Sequence, residues 1–383
     1  MKKILVIHNK YKHEGGEDLA VQNELTLLKK NYEIKELYFK NDIKNLINQI
    51  FGFLMNKNSN SMKTLLEVIN EFKPEYAYVH NTWFKASPGI FEVLHKQNIK
   101  TILKLHNFRY NCTKTYLSNE HLGKNDFCQG CGLKKENLGY FNKYFEGSYI
   151  KSILVNRYGK KYYQILFESK LKILVLTEFH KNFLINLGVN KKKIEVYQNF
   201  IDLSLPEIEN VKKDYIVYAG RISKEKGVED LIKSFNNTLL NDFKLKIIGE
   251  GPELKYLKSK YIDDKIEFIG RLDNKDVLKI IQESKAVVTA TKLYEGQPTL
   301  LCEASLMGIP SIFPRTGGIE EFFPKNYDLS FEQFDYKDLE NKFSLLTDDE
   351  MLSKIGLQNK KFITGNLNFK ILNSKFKKII NEL

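Results

Sequence analysis

The stretch from Tyr294 to Pro310, which reads Tyr-Glu-Gly-Gln-Pro-Thr-Leu-Leu-Cys-Glu-Ala-Ser-Leu-Met-Gly-Ile-Pro, decides which fold this chain adopts. It follows an apolar run, Ala286 to Ala290, that is too short and too rich in β-branched residues for a helix and predicts a buried strand. Proline is favoured in the first turn of a helix, and good helix formers follow Pro298 until Gly308. The stretch therefore predicts a strand, a short glycine-containing loop and a helix.

The amino end of such a helix is an anion site, because its first N–H groups have no helical partner and the helix dipole is positive there. Glu295 lies in the loop before the helix, and Glu303 lies roughly 7 Å further along the axis with its side chain leaning back. Carboxylates repel a diphosphate, so we expect them to accept hydrogen bonds from hydroxyls at its two ends, as in a nucleotide sugar. On spacing alone, an ordinary helix start with a solvated glutamate accounts for the same pattern.

Strands alternate with helices along the whole chain, which predicts a mostly parallel, doubly wound α/β sheet in each half. A chain of 383 residues exceeds the size of one usual core. We predict an N-terminal domain over residues 1–200, a linker over 201–213, a C-terminal domain over 214–365, and a helix over 366–383 that packs back toward the N-terminal domain.

Two cations follow the first strand of the second half, which runs from Tyr215 to Gly220. Arg221 can hold phosphate oxygens with two parallel hydrogen bonds, and Lys226 can act as a point charge. Gly249 and Gly251 follow the next strand. Because strand carboxyl ends meet at one edge of a parallel sheet, these groups and the helix predict one crevice for an anionic nucleotide.

Polar residues also end strands in the first half. Gly15 and Gly16 separate the first strand from a helix, and a strand predicted near Pro74 ends in His80 and Asn81. The strand from Thr101 to Leu105 ends in His106 and Asn107. Such positions lie in the ligand crevice of an open α/β sheet. Loop geometry and histidines bonded to backbone carbonyls are the structural alternatives.

The net charge of +13 belongs to the first half, since residues 1–206 hold 32 basic against 19 acidic residues and the remainder holds 28 of each. Lys134 to Lys193 combine 13 basic and 4 acidic residues with interleaved tyrosines and phenylalanines. This pattern suits a lysine-rich solvated face, or an anionic membrane surface or phosphorylated acceptor. Nucleic acid is disfavoured because no recognised binding motif accompanies the charge.

No run of about 18 apolar residues occurs, and the first strand turns polar too early for a secretory signal, which predicts a cytoplasmic protein. Cys128 and Cys131 have the two-residue spacer of a zinc site, with Cys112 and His121 as further ligands. A reduced loop without metal and a redox or disulfide role are the alternatives. Cys302 is expected to be a packing residue.

These motifs together resemble the family-four retaining glycosyltransferases, whose fold is GT-B: two Rossmann-like domains facing each other across a cleft. The resemblance covers nearly the whole chain, and its most specific part is the Glu-x7-Glu motif of Glu295 and Glu303 combined with Arg221 and Lys226. One departure is that many relatives read Glu-Gly-Phe-Gly-Leu-Pro, whereas this chain reads Glu-Gly-Gln-Pro-Thr. The cysteine loop resembles a subgroup associated with bacterial surface polysaccharides.

The resemblance implies a metal-independent, retaining hexosyltransferase without a cofactor, whose donor substrate is a nucleotide diphosphate sugar. It implies that Arg221 and Lys226 hold the diphosphate, that Glu295 contacts the donor sugar and that Glu303 binds the ribose. The other donor-side groups are Gly220, Gly249, Gly251, Gly296, Thr299 and Leu300, and those of the acceptor side are Gly15, Gly16, His80, Asn81 and His106, with His106 also counted as catalytic.

The expected acceptor is a saccharide, lipid-linked at the inner face of the cytoplasmic membrane, in the biosynthesis of capsule, O-antigen or exopolysaccharide. Two rival functions remain at this level. One is another nucleotide-sugar enzyme on the same fold, such as an epimerase or a phosphorylase. The other is a non-catalytic partner subunit that keeps the GT-B fold.

Overall fold

The structure, a computed structural model, describes residues 1–10, 15–40, 52, 57–83, 85–108, 110, 148–168, 170–201 and 212–383. These residues divide into two compact units, one of residues 1–200 with 369–383 and the other of residues 201–368. Each unit contains a six-stranded sheet in its described part, and neighbouring strands are parallel throughout. The prediction of a doubly wound parallel sheet in each half is confirmed.

The sheet of the first unit has the strand order β2-β1-β3-β4-β5-β6. Its strands are β1 Lys3–Lys10, β2 Glu33–Lys40, β3 Tyr76–Val79, β4 Lys100–Lys104, β5 Leu171–Val175 and β6 Ile194–Val196. The described helices of this unit are Gly16–Leu28, Ser59–Phe72, Gly89–Lys96, Tyr149–Ile165, Glu178–Asn186 and Phe369–Glu382.

The sheet of the second unit has the order β12-β11-β10-β7-β8-β9. Its strands are β7 Tyr215–Ala219, β8 Lys244–Ile248, β9 Ile266–Gly270, β10 Ala286–Val288, β11 Ser311–Arg315 and β12 Ser330–Glu332. Its helices are Val228–Asn236, Leu254–Lys260, Asn274–Gln282, Thr299–Leu306, Tyr336–Ser344 and Asp349–Asn366. Across the described ranges of both units, no helix is long and apolar enough to span a bilayer.

Strand β7 shows why the second sheet needs helices on both faces. Side chains alternate sides along a strand, so Tyr215 and Val217 enter one hydrophobic cluster while Ile216 and Tyr218 enter another. All four are buried. A strand that is apolar on both sides requires cover on both sides, which parallel strands linked by crossing helices provide.

The helix Phe369–Glu382 packs into the core of the first unit although it follows the second unit in sequence. Its Phe376 is fully buried, and its ring centroid lies 5.3 Å from that of Tyr78 and 5.5 Å from that of Tyr197. Leu372 and Ile380 join the same hydrophobic cluster. The first unit is therefore built from two separate segments of the chain.

A buried ion pair connects three elements of the first unit. The Lys104 amine on β4 lies 3.0 Å from each carboxylate oxygen of Glu24, which the helix Gly16–Leu28 carries. The Tyr78 hydroxyl on β3 donates to the same carboxylate at 2.8 Å. Lys104 is fully buried and Glu24 is 1% exposed, so removing either charge leaves the other without its counter-charge in the protein interior.

We expect Lys104→Met to destabilise the first unit by about 3–5 kcal/mol, because the Glu24 carboxylate stays buried without its counter-charge. Hydrogen exchange of the β3 and β4 amides would measure this loss within that unit.

The double variant Lys104→Met with Glu24→Gln removes both charges and keeps an acceptor for Tyr78, so it should recover most of the loss. Lys100→Met, on the exposed end of the same strand, is the control and should stay within about 0.5 kcal/mol of the wild type. A double variant no more stable than Lys104→Met would contradict this account.

Candidate active site

The loop after β7 carries the predicted cations and lies against the end of β10. Residues Lys224–Lys226 form a short 3-10 turn that ends at Gly227, where φ is +66°. A β-carbon at Gly227 would lie 2.0 Å from the carbonyl oxygen of Ala290. Glycine therefore allows the two main chains to touch, and this contact brings Lys226 beside the loop that follows β10.

Lys226 and Glu295 form an ion pair at this point. The Lys226 amine lies 2.6 Å from Oε1 of Glu295, and the Thr291 hydroxyl donates to the same oxygen at 2.9 Å. Within the described chain, Oε2 of Glu295 has no hydrogen-bond partner. The two side chains are 29% and 25% exposed, so the pair is accessible to a ligand.

The main chain of Glu295 is held by the loop after β11. Its carbonyl oxygen accepts the Gly318 N–H at 2.9 Å. Gly317 has a φ of +59°, and a β-carbon there would lie 2.3 Å from the same carbonyl oxygen. Loops after β7, β10 and β11 thus position Glu295 through backbone contacts as well as through its carboxylate.

The helix Thr299–Leu306 follows this loop, and Pro298 is its cap residue without a side-chain cap bond. The helix begins one residue later than a first-turn proline would place it. Its carboxyl end is closed by Gly308, where φ is +76°, and by a hydrogen bond of 2.9 Å from the Ile309 N–H to the Ala304 carbonyl. Its first N–H groups, those of Thr299 and Leu300, have no intrahelical acceptor.

Glu303 lies in a different environment from Glu295. It is 3% exposed, and Oε1 accepts a hydrogen bond of 3.4 Å from the side-chain amide of Asn274. Burial raises the pKa of the Glu303 carboxyl to about 7, and the Asn274 amide opposes that shift. Its neutral and ionised forms are therefore both populated near neutral pH.

The remaining donor-side residues occupy the same edge of the sheet. Arg221 is exposed, and its guanidinium makes no hydrogen bond or ion pair with the described residues. The Tyr218 hydroxyl donates to the Arg221 carbonyl at 2.8 Å and fixes its backbone. Gly249 and Gly251 lie against the backbone carbonyls of Gly220 and Ile222.

The structure thus joins Lys226 and Glu295 directly. Among the described residues, no hydrogen bond links Arg221 or Glu303 to that pair. We expect Glu295 and Glu303 to lie on opposite sides of one anion-binding site. This stays a prediction, because the contacts of the two carboxylates do not test it.

Two of the predicted acceptor-side residues of the first unit form a histidine pair. His80 Nδ1 lies 3.0 Å from His106 Nε2, and the rings are stacked. Burial lowers the pKa of each ring well below the usual 6.5, and the nearby Lys104 charge adds to the effect. We therefore treat both rings as neutral, one donating the shared hydrogen bond and the other accepting it.

Gly15 and Gly16 lie at the start of the first helix, and apart from adjacent residues and the helix's own backbone, no described atom lies within 4 Å of a β-carbon built at either position. The backbone of Gly15 is extended, with φ −132°, so neither backbone strain nor crowding by the described residues explains the two glycines. Asn81 contacts the backbone instead, donating to the Asn9 carbonyl at 2.9 Å and accepting the Trp83 N–H at 3.0 Å.

Some residues of the site were not predicted from the sequence. Thr291 and Asn274 contact the two glutamates, and Asp18 accepts from the Gly15 N–H at 2.9 Å and pairs with His8 at 2.8 Å. The Gly-x-x-Asp spacing of a helix start was a signal for Asp18, whereas Thr291 and Asn274 had none. Cys112, Cys128, Cys131 and His121 lie outside the described residues.

Comparisons with known proteins identify glycosyltransferases that are similar to this chain. Residues 204–362 match the family model described as glycosyl transferases group 1. Uncharacterized glycosyltransferase MJ1069 of Methanocaldococcus jannaschii is 26% identical over 254 residues, which cover 62% of this chain and 64% of that protein. Amylovoran biosynthesis glycosyltransferase AmsD of Erwinia amylovora is 27% identical over 152 residues, covering 37% of this chain and 42% of AmsD.

Both alignments span less than two thirds of the relative's length. Among solved structures, HepE of Anabaena in complex with UDP superposes with a TM-score of 0.67 at 14% identity and full coverage of both chains. The fold is therefore GT-B. The residues that match the glycosyl transferases group 1 model lie within the second unit.

Glu303 predicts a pH dependence of stability. Its pKa is about 7 in the folded protein against 4.5 when unperturbed, so the folded state holds a proton between these values that the unfolded state releases. The free energy of unfolding should therefore fall as pH rises from about 4.5 to 7, by roughly 3 kcal/mol from this group.

Urea unfolding of the wild type and of Glu303→Gln at several pH values between 4.5 and 8 would measure this effect, since the amide variant lacks the titrating group. The difference between the two proteins should change across that interval. Parallel profiles would show that Glu303 is already ionised in the folded protein.

Proposed function

We propose that this protein is a retaining glycosyltransferase that moves a sugar from a nucleotide diphosphate donor to a saccharide acceptor. The observation that supports this most strongly is the ion pair of Lys226 and Glu295, which lies in the loop leading into the helix Thr299–Leu306. A cation, a carboxylate with an unbonded oxygen and a helix amino end suit a ligand with both phosphates and hydroxyls.

The diphosphate is assigned to the cations and the helix. Arg221 is exposed and has no competing partner in the described chain, and Lys226 can exchange Glu295 for a phosphate. The N–H groups of Gly296, Thr299 and Leu300 add donors at the helix amino end. Together they stabilise the negative charge that develops on the leaving diphosphate, so we propose that neither a metal ion nor a cofactor is needed.

The two glutamates are assigned to the organic ends of the donor. Oε2 of Glu295 accepts from a hydroxyl of the sugar, and Glu303 accepts from the ribose hydroxyls. The raised pKa of Glu303 fits this role, because a hydroxyl that donates to the carboxylate favours its ionised form. The solved complex of HepE with UDP supports a uridine nucleotide as the first donor to test.

The acceptor is assigned to the first unit, with Gly15, Gly16, His80, Asn81 and His106 along its binding surface. In the proposed retaining reaction, the acceptor oxygen attacks the anomeric carbon on the face that the diphosphate leaves. The carbon–oxygen bond to the phosphate breaks, and the departing phosphate oxygen takes the acceptor proton.

We propose that the product belongs to a bacterial surface polysaccharide. AmsD is described as a glycosyltransferase of amylovoran biosynthesis, which supports this setting. The acceptor is then a lipid-linked saccharide at the cytoplasmic face of the membrane, where the protein binds peripherally.

Lys226→Ala and Glu295→Gln should each lower donor turnover about 10- to 150-fold, because each removes a charged contact of roughly 1.5–3 kcal/mol from the transition state. Turnover is measured as nucleoside diphosphate released from UDP-glucose, UDP-galactose, UDP-N-acetylglucosamine and GDP-mannose, with and without acceptor. The melting temperatures should barely change, since a partly exposed ion pair contributes little to stability.

The matched controls are Lys224→Ala and Glu225→Gln, which make the same changes of charge at the two neighbours of Lys226 in its turn. Both should keep wild-type turnover. Normal turnover in Lys226→Ala and Glu295→Gln would defeat the assignment. Nucleotide-sugar binding without any turnover by the wild type would favour the non-catalytic subunit.

Peripheral membrane binding has a separate test. The helix Tyr149–Ile165 begins with Tyr149 and Ile150, which are 51% and 72% exposed, in the basic region of the chain. We expect the protein to sediment with phosphatidylglycerol vesicles, to remain unbound with phosphatidylcholine vesicles and to dissociate at high salt. Ile150→Glu should weaken this binding.

Leu239→Glu is the control, because Leu239 is 93% exposed and lies in the second unit, which holds no excess of basic residues. It should bind vesicles like the wild type. Equal sedimentation with both lipids would remove the anionic membrane surface from the proposal.

A further inference from the structure

The carboxylate of Glu295 has a second partner besides Lys226. Thr291 is 2% exposed, lies four residues before Glu295 and donates its hydroxyl to Oε1 of that glutamate at 2.9 Å. We propose that Thr291 is a positioning residue, which holds Oε1 so that Oε2 of Glu295 meets a hydroxyl of the donor sugar. This inference rests on the proposed function.

The hydroxyl of Thr291 donates to the Glu295 carboxylate and accepts from a backbone N–H. Its oxygen accepts a hydrogen bond of 3.3 Å from the Leu293 N–H, which uses one lone pair of the hydroxyl oxygen. A hydroxyl has a single proton, and the nearby acceptor is the Glu295 carboxylate. The local turn therefore directs this proton to Oε1.

Thr291 is itself fixed in place. Its carbonyl oxygen accepts a hydrogen bond of 3.3 Å from the side-chain amide of Gln333. A β-branched side chain has few accessible rotamers, so little entropy is lost when its hydroxyl is held. The Glu295 main chain is held separately by Gly318. Thus the carboxylate and its hydroxyl partner both belong to rigid segments.

Lys226 cannot replace Thr291 in this role once a donor is bound. Its flexible side chain carries a point charge that a diphosphate attracts, so the proposed ligand competes with Glu295 for the same amine. The Thr291 hydroxyl is neutral and buried, and a phosphate does not draw it away. Thr291 then remains the partner that keeps the Glu295 carboxylate oriented during turnover.

Loss of the Thr291 hydroxyl should lower the rate of sugar transfer to water and leave nucleotide binding nearly unchanged. Thr291→Val keeps the shape of the side chain and removes the hydroxyl. It should lower kcat for donor hydrolysis about 5- to 10-fold, the effect of one lost hydrogen bond. Affinity for UDP alone, which has no sugar, should stay within about twofold of the wild type, because Arg221, Lys226 and the helix are unchanged. Thr291→Ser restores a hydroxyl and should recover most of the activity.

Thr316→Val is the matched control. Thr316 is also buried in these loops, but its hydroxyl donates to the Leu293 carbonyl at 3.2 Å and not to the Glu295 carboxylate. Both valine variants lose one buried hydrogen bond, so their melting temperatures should be comparable. Thr316→Val should keep the kcat of the wild type, which would show that the loss of kcat is specific to Thr291.

The decisive measurement repeats Thr291→Val in the Glu295→Gln background, with the sugar donor from the four-member panel that the wild type hydrolyses fastest. If Thr291 acts through the carboxylate, the added substitution should have no further effect on kcat. An equal loss in both backgrounds would overturn the inference, and so would normal kcat in Thr291→Val when Glu295→Gln is impaired. No hydrolysis of any donor by the wild type would instead reject the proposed function, and the inference with it.

Discussion

Direct contact between main chains at the carboxyl edge of the second sheet is the constraint on which the candidate site depends. Loops after β7, β10 and β11 approach each other within distances that a β-carbon would not permit, as at Gly227 and Gly317. Backbone atoms move less than long side chains, so these main-chain contacts hold the residues of the site in place. The Lys226 amine and the Glu295 carboxylate meet because the segments that carry them are already in contact.

At the carboxyl edge of the second sheet, Glu295 and Glu303 have different electrostatic environments. Glu295 is partly exposed and shares one oxygen between a cation and a hydroxyl. Glu303 is buried beneath the helix surface, with a single side-chain amide as its partner and a raised pKa. One sequence motif thus supplies a carboxylate that two partners orient before a ligand arrives, and another whose charge is most favourable when a ligand hydroxyl is present.

The parts of this architecture that are local in sequence could be predicted. The strand, loop and helix around Glu295 follow from β-branched residues, a glycine and a proline over a short stretch, and the structure confirms them with the helix beginning at Thr299. The cation loop after β7 was recognisable for the same reason. Each signal depended on neighbouring residues alone.

Contacts between distant segments could not be predicted in this way. Lys104 ends a strand and would ordinarily be expected to reach solvent, yet it is fully buried because Glu24 lies opposite it on a helix. Nothing in the pattern around either residue indicates that partner. The contact of Thr291 could not be predicted either, because the direction of its hydroxyl depends on how the turn folds and on where the following glutamate lies.

The divided composition of the first unit has a consequence for its synthesis. The helix Phe369–Glu382 supplies Phe376 to the aromatic cluster around Tyr78, but the ribosome makes it only after residues 201–368. At about 5–20 residues per second, the nascent first unit waits roughly ten to thirty seconds without the part of this cluster that Phe376 supplies. Transiently exposed apolar surface of this kind favours aggregation, and translation pauses in the second unit would lengthen the exposure.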